Sequence, residues 1–200
     1  MKKIIYKTFL SSFIFLSVSC YGQDTKTADV TDVTKANFFD PGISFEKGIG
    51  NLQTLYGQAF LSTSIYIGYS SALGNISSVD IYPALTLQYR YYYNASRRTM
   101  KGKRTAMNSL NYISIVTEAY FYTDKSWDQD VSRTMKIFGT AWGFQRNYPK
   151  RFSLDFNIGI GYAFSKKTVM SLPGEYISIS FAELTTLGQI SLGFWLNKKQ

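Results

Sequence analysis

From Asp80 to Asn94 the chain reads DIYPALTLQYRYYYN, and its two parities separate by chemistry. Ile81, Pro83, Leu85, Leu87, Tyr89, Tyr91 and Tyr93 fall on one parity, while Asp80, Tyr82, Ala84, Thr86, Gln88, Arg90, Tyr92 and Asn94 fall on the other. Successive side chains of an extended chain point to opposite faces, so this stretch specifies a strand of about fifteen residues between an apolar medium and a polar one. Soluble strands usually run to about five or six residues, whereas a tilted strand crossing a bilayer needs about nine to eleven, with aromatic residues at the interfaces. The expectation is therefore an all-β fold, an antiparallel up-and-down transmembrane β-barrel.

The same period recurs along the chain. Residues 55–70 place Leu55, Ala59, Leu61, Ile65, Ile67 and Tyr69 outward, and 112–122 do the same with Ile113, Ile115, Thr117, Ala119 and Phe121. The clearest alternation runs over 151–164, with Phe152, Leu154, Phe156, Ile158, Ile160, Tyr162 and Phe164 out and Ser153, Asp155 and Asn157 in. A strand over 180–196 ends the series, ISFEKGIG forms a short one, and over 133–146 the faces are ambiguous. A weak strand at 33–39 brings the expected count to eight, since closed bacterial barrels have an even number with both termini on one side. The segments 71–79, 123–132 and 165–176 read as outer loops, and 95–109 as a long connection on the periplasmic side.

The N-terminus carries Lys2, Lys3 and Lys7 before an apolar run over 9–18, which reads as a secretory signal peptide over 1–22 with a flexible leader over 23–32. Lipoprotein processing at Cys20 is the rival, with Ser17 where a lipobox carries an aliphatic residue. Without the three signal lysines, 19 basic residues face 13 acidic ones. For an exported barrel that surplus points to outer-membrane lipids, lipopolysaccharide or peptidoglycan rather than to nucleic acid.

Histidine is absent. General acid–base catalysis near neutral pH leans on that side chain, so the chain is read as non-enzymatic. The remaining acid–base option is Asp155 with Glu183 or Glu118. The sole cysteine, Cys20, lies in the signal region, so no metal site or cofactor is expected. The inward parity instead carries Arg90, Glu118, Asp155 and Glu183, and an eight-stranded barrel is just wide enough to be filled by side chains. These four are expected to pair as a lumen ion network, with a narrow pore or transport path as the alternative. Tyr89, Tyr91, Tyr93, Tyr162, Phe164 and Phe194 are expected to form the aromatic girdle. Arg97, Arg98, Lys101, Lys103 and Arg104 form a basic loop, either solvated or touching lipid phosphates or peptidoglycan. A secreted lipocalin-like barrel, with its apolar face turned inward around a ligand, is the second alternative.

Four stretches, ISFEKGIG, LQYRYYYN, the RR and KGK cluster with NSLNYISI, and WGFQRNYPKRFSLDFNIGIGYAF, lie within residues 43–196. In these the chain resembles an uncharacterised family of small Bacteroidetes-type outer-membrane β-barrel proteins. The resemblance implies a membrane barrel and supplies neither catalytic residues nor a defined ligand.

Overall fold

The computed structural model describes residues 30–70, 74–125, 130–172 and 175–197. The expected signal peptide, Cys20 and most of the expected leader lie outside these residues. Eight strands follow one another: β1 (Val33–Phe39), β2 (Gly42–Gly50), β3 (Gln53–Ser70), β4 (Gly74–Tyr92), β5 (Asn111–Lys125), β6 (Asp130–Asn147), β7 (Phe152–Leu172) and β8 (Glu175–Trp195). Each pairs antiparallel with the next, and β1 also pairs with β8, so the sheet closes into a ring of eight. The weak first strand is thus the closing one.

Alternation decides what faces where. On β4, Ala84, Thr86, Gln88, Arg90 and Tyr92 are buried, while Leu85, Leu87, Tyr89 and Tyr91 between them are exposed. The ambiguous stretch on β6 resolves with Ile137, Gly139, Ala141, Gly143 and Gln145 inward and Phe138, Thr140 and Trp142 outward. Small residues had to face inward here, because large side chains from other strands occupy the interior. The apolar face thus points out of the ring, opposite to the inward apolar face of the lipocalin-like alternative.

The start of β1, the end of β8 and three connections lie at one end of the ring, the near end. The three expected outer loops at the far end are largely strand instead: β4 begins at Gly74, β5 reaches Lys125 and β7 reaches Leu172. A ladder of backbone hydrogen bonds needs no apolar face, so pairing continues past the point where amphipathic alternation ends. The wall is uneven. β1 and β2 hold 7 and 9 residues, whereas β7 and β8 hold 21 each. The last β1–β8 pair is Phe39 with Leu192, and the last β2–β3 pair is Gly42 with Phe60. Beyond these points β3 and β8 each have only one strand neighbour.

The 95–109 connection is not a loose loop. It forms a helix, α1 (Ala95–Met100), and a 3-10 turn (Ala106–Asn108) that fold against the near end. Ala95 and Leu110 are buried against Tyr92 and Tyr112, with Val30 and Leu52 packed beside them. Met107 and Asn108 both adopt left-handed backbone, φ 56° and 58°, a conformation costly for a methionine and better tolerated by an asparagine. The reversal aims the Asn108 amide at Thr31, donating to its carbonyl at 2.8 Å and accepting from its N–H at 2.8 Å. Asp32 accepts from the Gly48 N–H at 2.9 Å and pairs with Lys47 at 3.1 Å. The Gly48 bond, then Lys47, holds the Asp32 carboxyl below the usual carboxylate range.

Asn108→Ala removes both bonds to Thr31, each worth about 0.5–1.5 kcal/mol net. The Thr31 amide should then exchange with solvent deuterium faster, while β4 and β7 amides keep their protection.

Candidate functional site

The ring interior just above the near-end lid is ionic. Four charged side chains from four strands meet there: Lys35 (β1), Glu46 (β2), Arg90 (β4) and Asp155 (β7), none more than 4% exposed. Two positive charges face two negative ones. Arg90 Nη1 donates to Asp155 Oδ2 at 2.8 Å, and Lys35 Nζ reaches the same oxygen at 3.4 Å. Tyr112 donates its hydroxyl to Asp155 Oδ1 at 2.7 Å. Glu46 accepts from Thr54 at 2.7 Å and also from the Tyr92 hydroxyl.

Gln145 joins the two halves. Its Oε1 accepts from Lys35 at 2.6 Å and from Arg90 at 3.0 Å; its Nε2 donates to Glu46 at 3.0 Å and to the Met107 carbonyl at 3.3 Å. The near-end lid and the charged layer are therefore one hydrogen-bonded unit. Arg90 also lies between two aromatic faces, its Cζ 3.7 Å from the Tyr56 ring centre and 4.2 Å from that of Tyr112. Stacking suits a planar, weakly hydrated guanidinium better than it would an ammonium. Room for the Tyr112 ring comes from Gly143, where a Cβ would sit 2.5 Å from Tyr112 Cζ.

Removing four charges from water costs several kcal/mol per ion, and mutual attraction offsets this only where geometry and hydrogen bonding are good. Here each carboxylate oxygen has a described donor. Beside the layer, Val116 (β5), Ile137 and Ala141 (β6), Ala163 (β7) and Leu187 (β8) pack into an apolar cluster. The layer sets two cations against two carboxylates, all of them buried.

Of the four residues expected in one network, the structure brings together Arg90 and Asp155. Glu118 is buried but separate, its described partner being the Tyr120 hydroxyl at 2.7 Å. It lies one step beyond Val116, on the far side of the apolar residue that separates it from the charged layer. Glu183 is exposed and forms no ion pair among the described residues. It has the inward parity, but it sits on β8 beyond Leu192, where β1 no longer walls the ring. Lys35 and Glu46 take their places. Glu46 was legible as the polar-parity residue of ISFEKGIG; Lys35 was not, because VTKANFF has no clear alternation.

Tyr89, Tyr91, Tyr93, Tyr162, Phe164 and Phe194 all face outward and are exposed. The three tyrosines and Phe194 lie toward the near end, whereas Tyr162 and Phe164 lie further along β7, so they do not form a single belt. Trp142 adds to the near group by donating to the Tyr93 hydroxyl at 2.7 Å. In the basic segment, Arg98 donates to the Arg104 carbonyl at 3.0 Å and Arg104 to the Asn147 carbonyl at 2.8 Å, so these two brace the lid. Arg97, Lys101 and Lys103 are exposed.

No protein-family model, curated protein or solved structure matches this chain.

Asp155→Asn leaves Arg90 and Lys35 without their shared anion and should cost about 3–5 kcal/mol, read from the urea unfolding midpoint. Glu183→Gln, on a solvated position, should stay within about 0.5 kcal/mol. Gly143→Ala should cost about 1–3 kcal/mol by displacing Tyr112 from Arg90; an unchanged unfolding midpoint would contradict that role.

Proposed function

We propose that this chain is an integral outer-membrane β-barrel, exported by its N-terminal signal, with a side-chain-filled, ion-paired lumen. Its role is structural or interactive in the cell envelope, not catalytic. The single observation carrying this reading is the inverted polarity of a closed ring. Ionised groups and amides fill the inside, while Ile43, Phe45, Leu85, Leu87, Ile113, Ile158 and Ile160 stand exposed on the outside. Water-soluble proteins rarely leave apolar patches larger than a few hundred Å² uncovered. A bilayer covers such a surface, and a closed antiparallel ring satisfies its backbone groups internally, as spanning structures must. No described helix is long and apolar enough to cross a membrane, so strands would do it.

The sealed near end favours a plug over a pore. The lid over 95–110, the neutral charged layer and the apolar cluster obstruct the axis in succession. The near end also collects positive charge: Arg97, Lys101, Lys103, Lys150 and Arg151 are all exposed there. Anionic lipid phosphates in the facing leaflet are the partner this suits best, with peptidoglycan as the other anionic candidate. Membership of the Bacteroidetes-type family named above is part of the same proposal.

The protein should require detergent for extraction and migrate differently on gels before and after boiling; release as a soluble monomer by salt alone would overturn the membrane assignment. In planar bilayers it should give no steady current at either polarity. The triple charge reversal Arg97→Glu, Lys101→Glu and Lys103→Glu should reduce the anionic phospholipid that co-purifies while leaving the heat-induced gel shift intact.

A further inference from the structure

The outer wall of the ring is hollowed along β3. The outward residues there run Leu55, Gly57, Ala59, Leu61, so two positions with almost no side chain stand between two exposed leucines. Their cross-strand neighbours are bulky: Phe45 and Leu87 flank Gly57, and Ile43 and Leu85 flank Ala59. All four stand on the outside of the ring. The result is a trough with β3 as its floor and β2 and β4 as its walls, enclosing a cavity of about 900 Å³. A second hollow of about 480 Å³ shares Ile43, Ala59 and Leu85 with it and carries it on to Leu61 and Pro83.

Packing does not account for the missing side chain at Gly57. A Cβ there would meet only the tip of Leu87, at 3.4 Å, whereas at Gly143 it would strike the Tyr112 ring and at Gly159 the Thr140 carbonyl. A glycine inside a strand weakens it, so the bare position at Gly57 costs stability and gives only the hollow in return.

The trough has a charged end and a defined length. Lys47, the β2 partner of Leu55 at the near end, is the one charged residue among those lining it. Its side chain is 60% exposed and meets Asp32 at 3.1 Å, and an ammonium carries further donors beyond that contact. From Leu55 to Leu61 the strand advances about 20 Å. Tilted by about 35–45°, it covers about 15 Å of depth, half of a hydrocarbon core of about 30 Å and so the thickness of one leaflet.

We propose that the trough binds one acyl chain of an anionic phospholipid from the near-end leaflet, with the phosphate at Lys47 and the chain lying over Gly57 and Ala59. This rests on the bilayer setting proposed above and goes beyond it, because it picks one seat on the circumference. Elsewhere on the wall, as over Ile158 and Ile160 on β7, lipid would exchange without a preferred position.

A phosphatidylglycerol carrying a nitroxide at mid-chain tests this, titrated into the protein in zwitterionic micelles with isoleucine and leucine methyls labelled for NMR. In the wild-type protein the Ile43, Leu85 and Leu87 methyls should broaden first and saturate at one lipid per ring, ahead of Ile158 and Ile160. Gly57→Leu fills the floor where the fold has room for it, so it should abolish that early, saturable part while keeping the heat-induced gel shift. Lys47→Gln should weaken it about fivefold. Equal broadening of all outward methyls in the wild-type protein would overturn the trough and leave the ring lipid-facing. An unchanged early component in Gly57→Leu would overturn it too, and broadening of no outward methyl would overturn the bilayer setting and the trough together.

Discussion

A guanidinium withdrawn from water is the constraint around which this fold is arranged. Arg90 is fully buried, and a buried unpaired charge is too costly for a marginally stable chain to carry. Strands from around the ring therefore supply partners to it: β7 gives Asp155, β3 and β5 the Tyr56 and Tyr112 faces, and β6 Gln145, while Lys35 on β1 shares the same carboxylate oxygen and is balanced by Glu46 on β2. Ring closure follows the same logic, since the weak, barely amphipathic β1 contributes Lys35 to this layer. The lid is bound to it as well, because the Met107 carbonyl takes the last donor of Gln145.

The antiparallel order and nearly every face were legible because alternation separates the two sides of a sheet. That signal also limits what can be read. It needs a difference between the two faces, so the stretches at 74–79 and 123–125, which do not alternate in sequence, looked like loops although backbone pairing continues through them. It also says nothing about height along the axis. Arg90, Glu118, Asp155 and Glu183 share a parity, yet only two of them share a level, and the difference is set by register and by how far β1 and β2 reach.

The lid was the least legible part. Its basic residues dominated the reading of 95–109, whereas its structural work is done by Ala95, the left-handed pair Met107 and Asn108, and Leu110. A left-handed pair without glycine has no strong sequence signature. Gln145 was invisible for another reason: an amide serving two cations, a carboxylate and a carbonyl at once is defined by what surrounds it, not by its neighbours in sequence.

The low wall at β1 and β2 bears on the proposed bilayer setting. Seven residues of tilted strand rise only about 18 Å, less than the apolar band of about 25 Å typical of such rings, while β7 on another part of the circumference exceeds it threefold in residues. Hydrophobic mismatch is then confined to one flank, where lipid must thin at a cost of fractions of a kcal/mol per Å. A ring that thins lipid on one side only has a heading in the plane of the membrane. In that proposed setting, two such rings would deform the least lipid with their thin flanks facing each other.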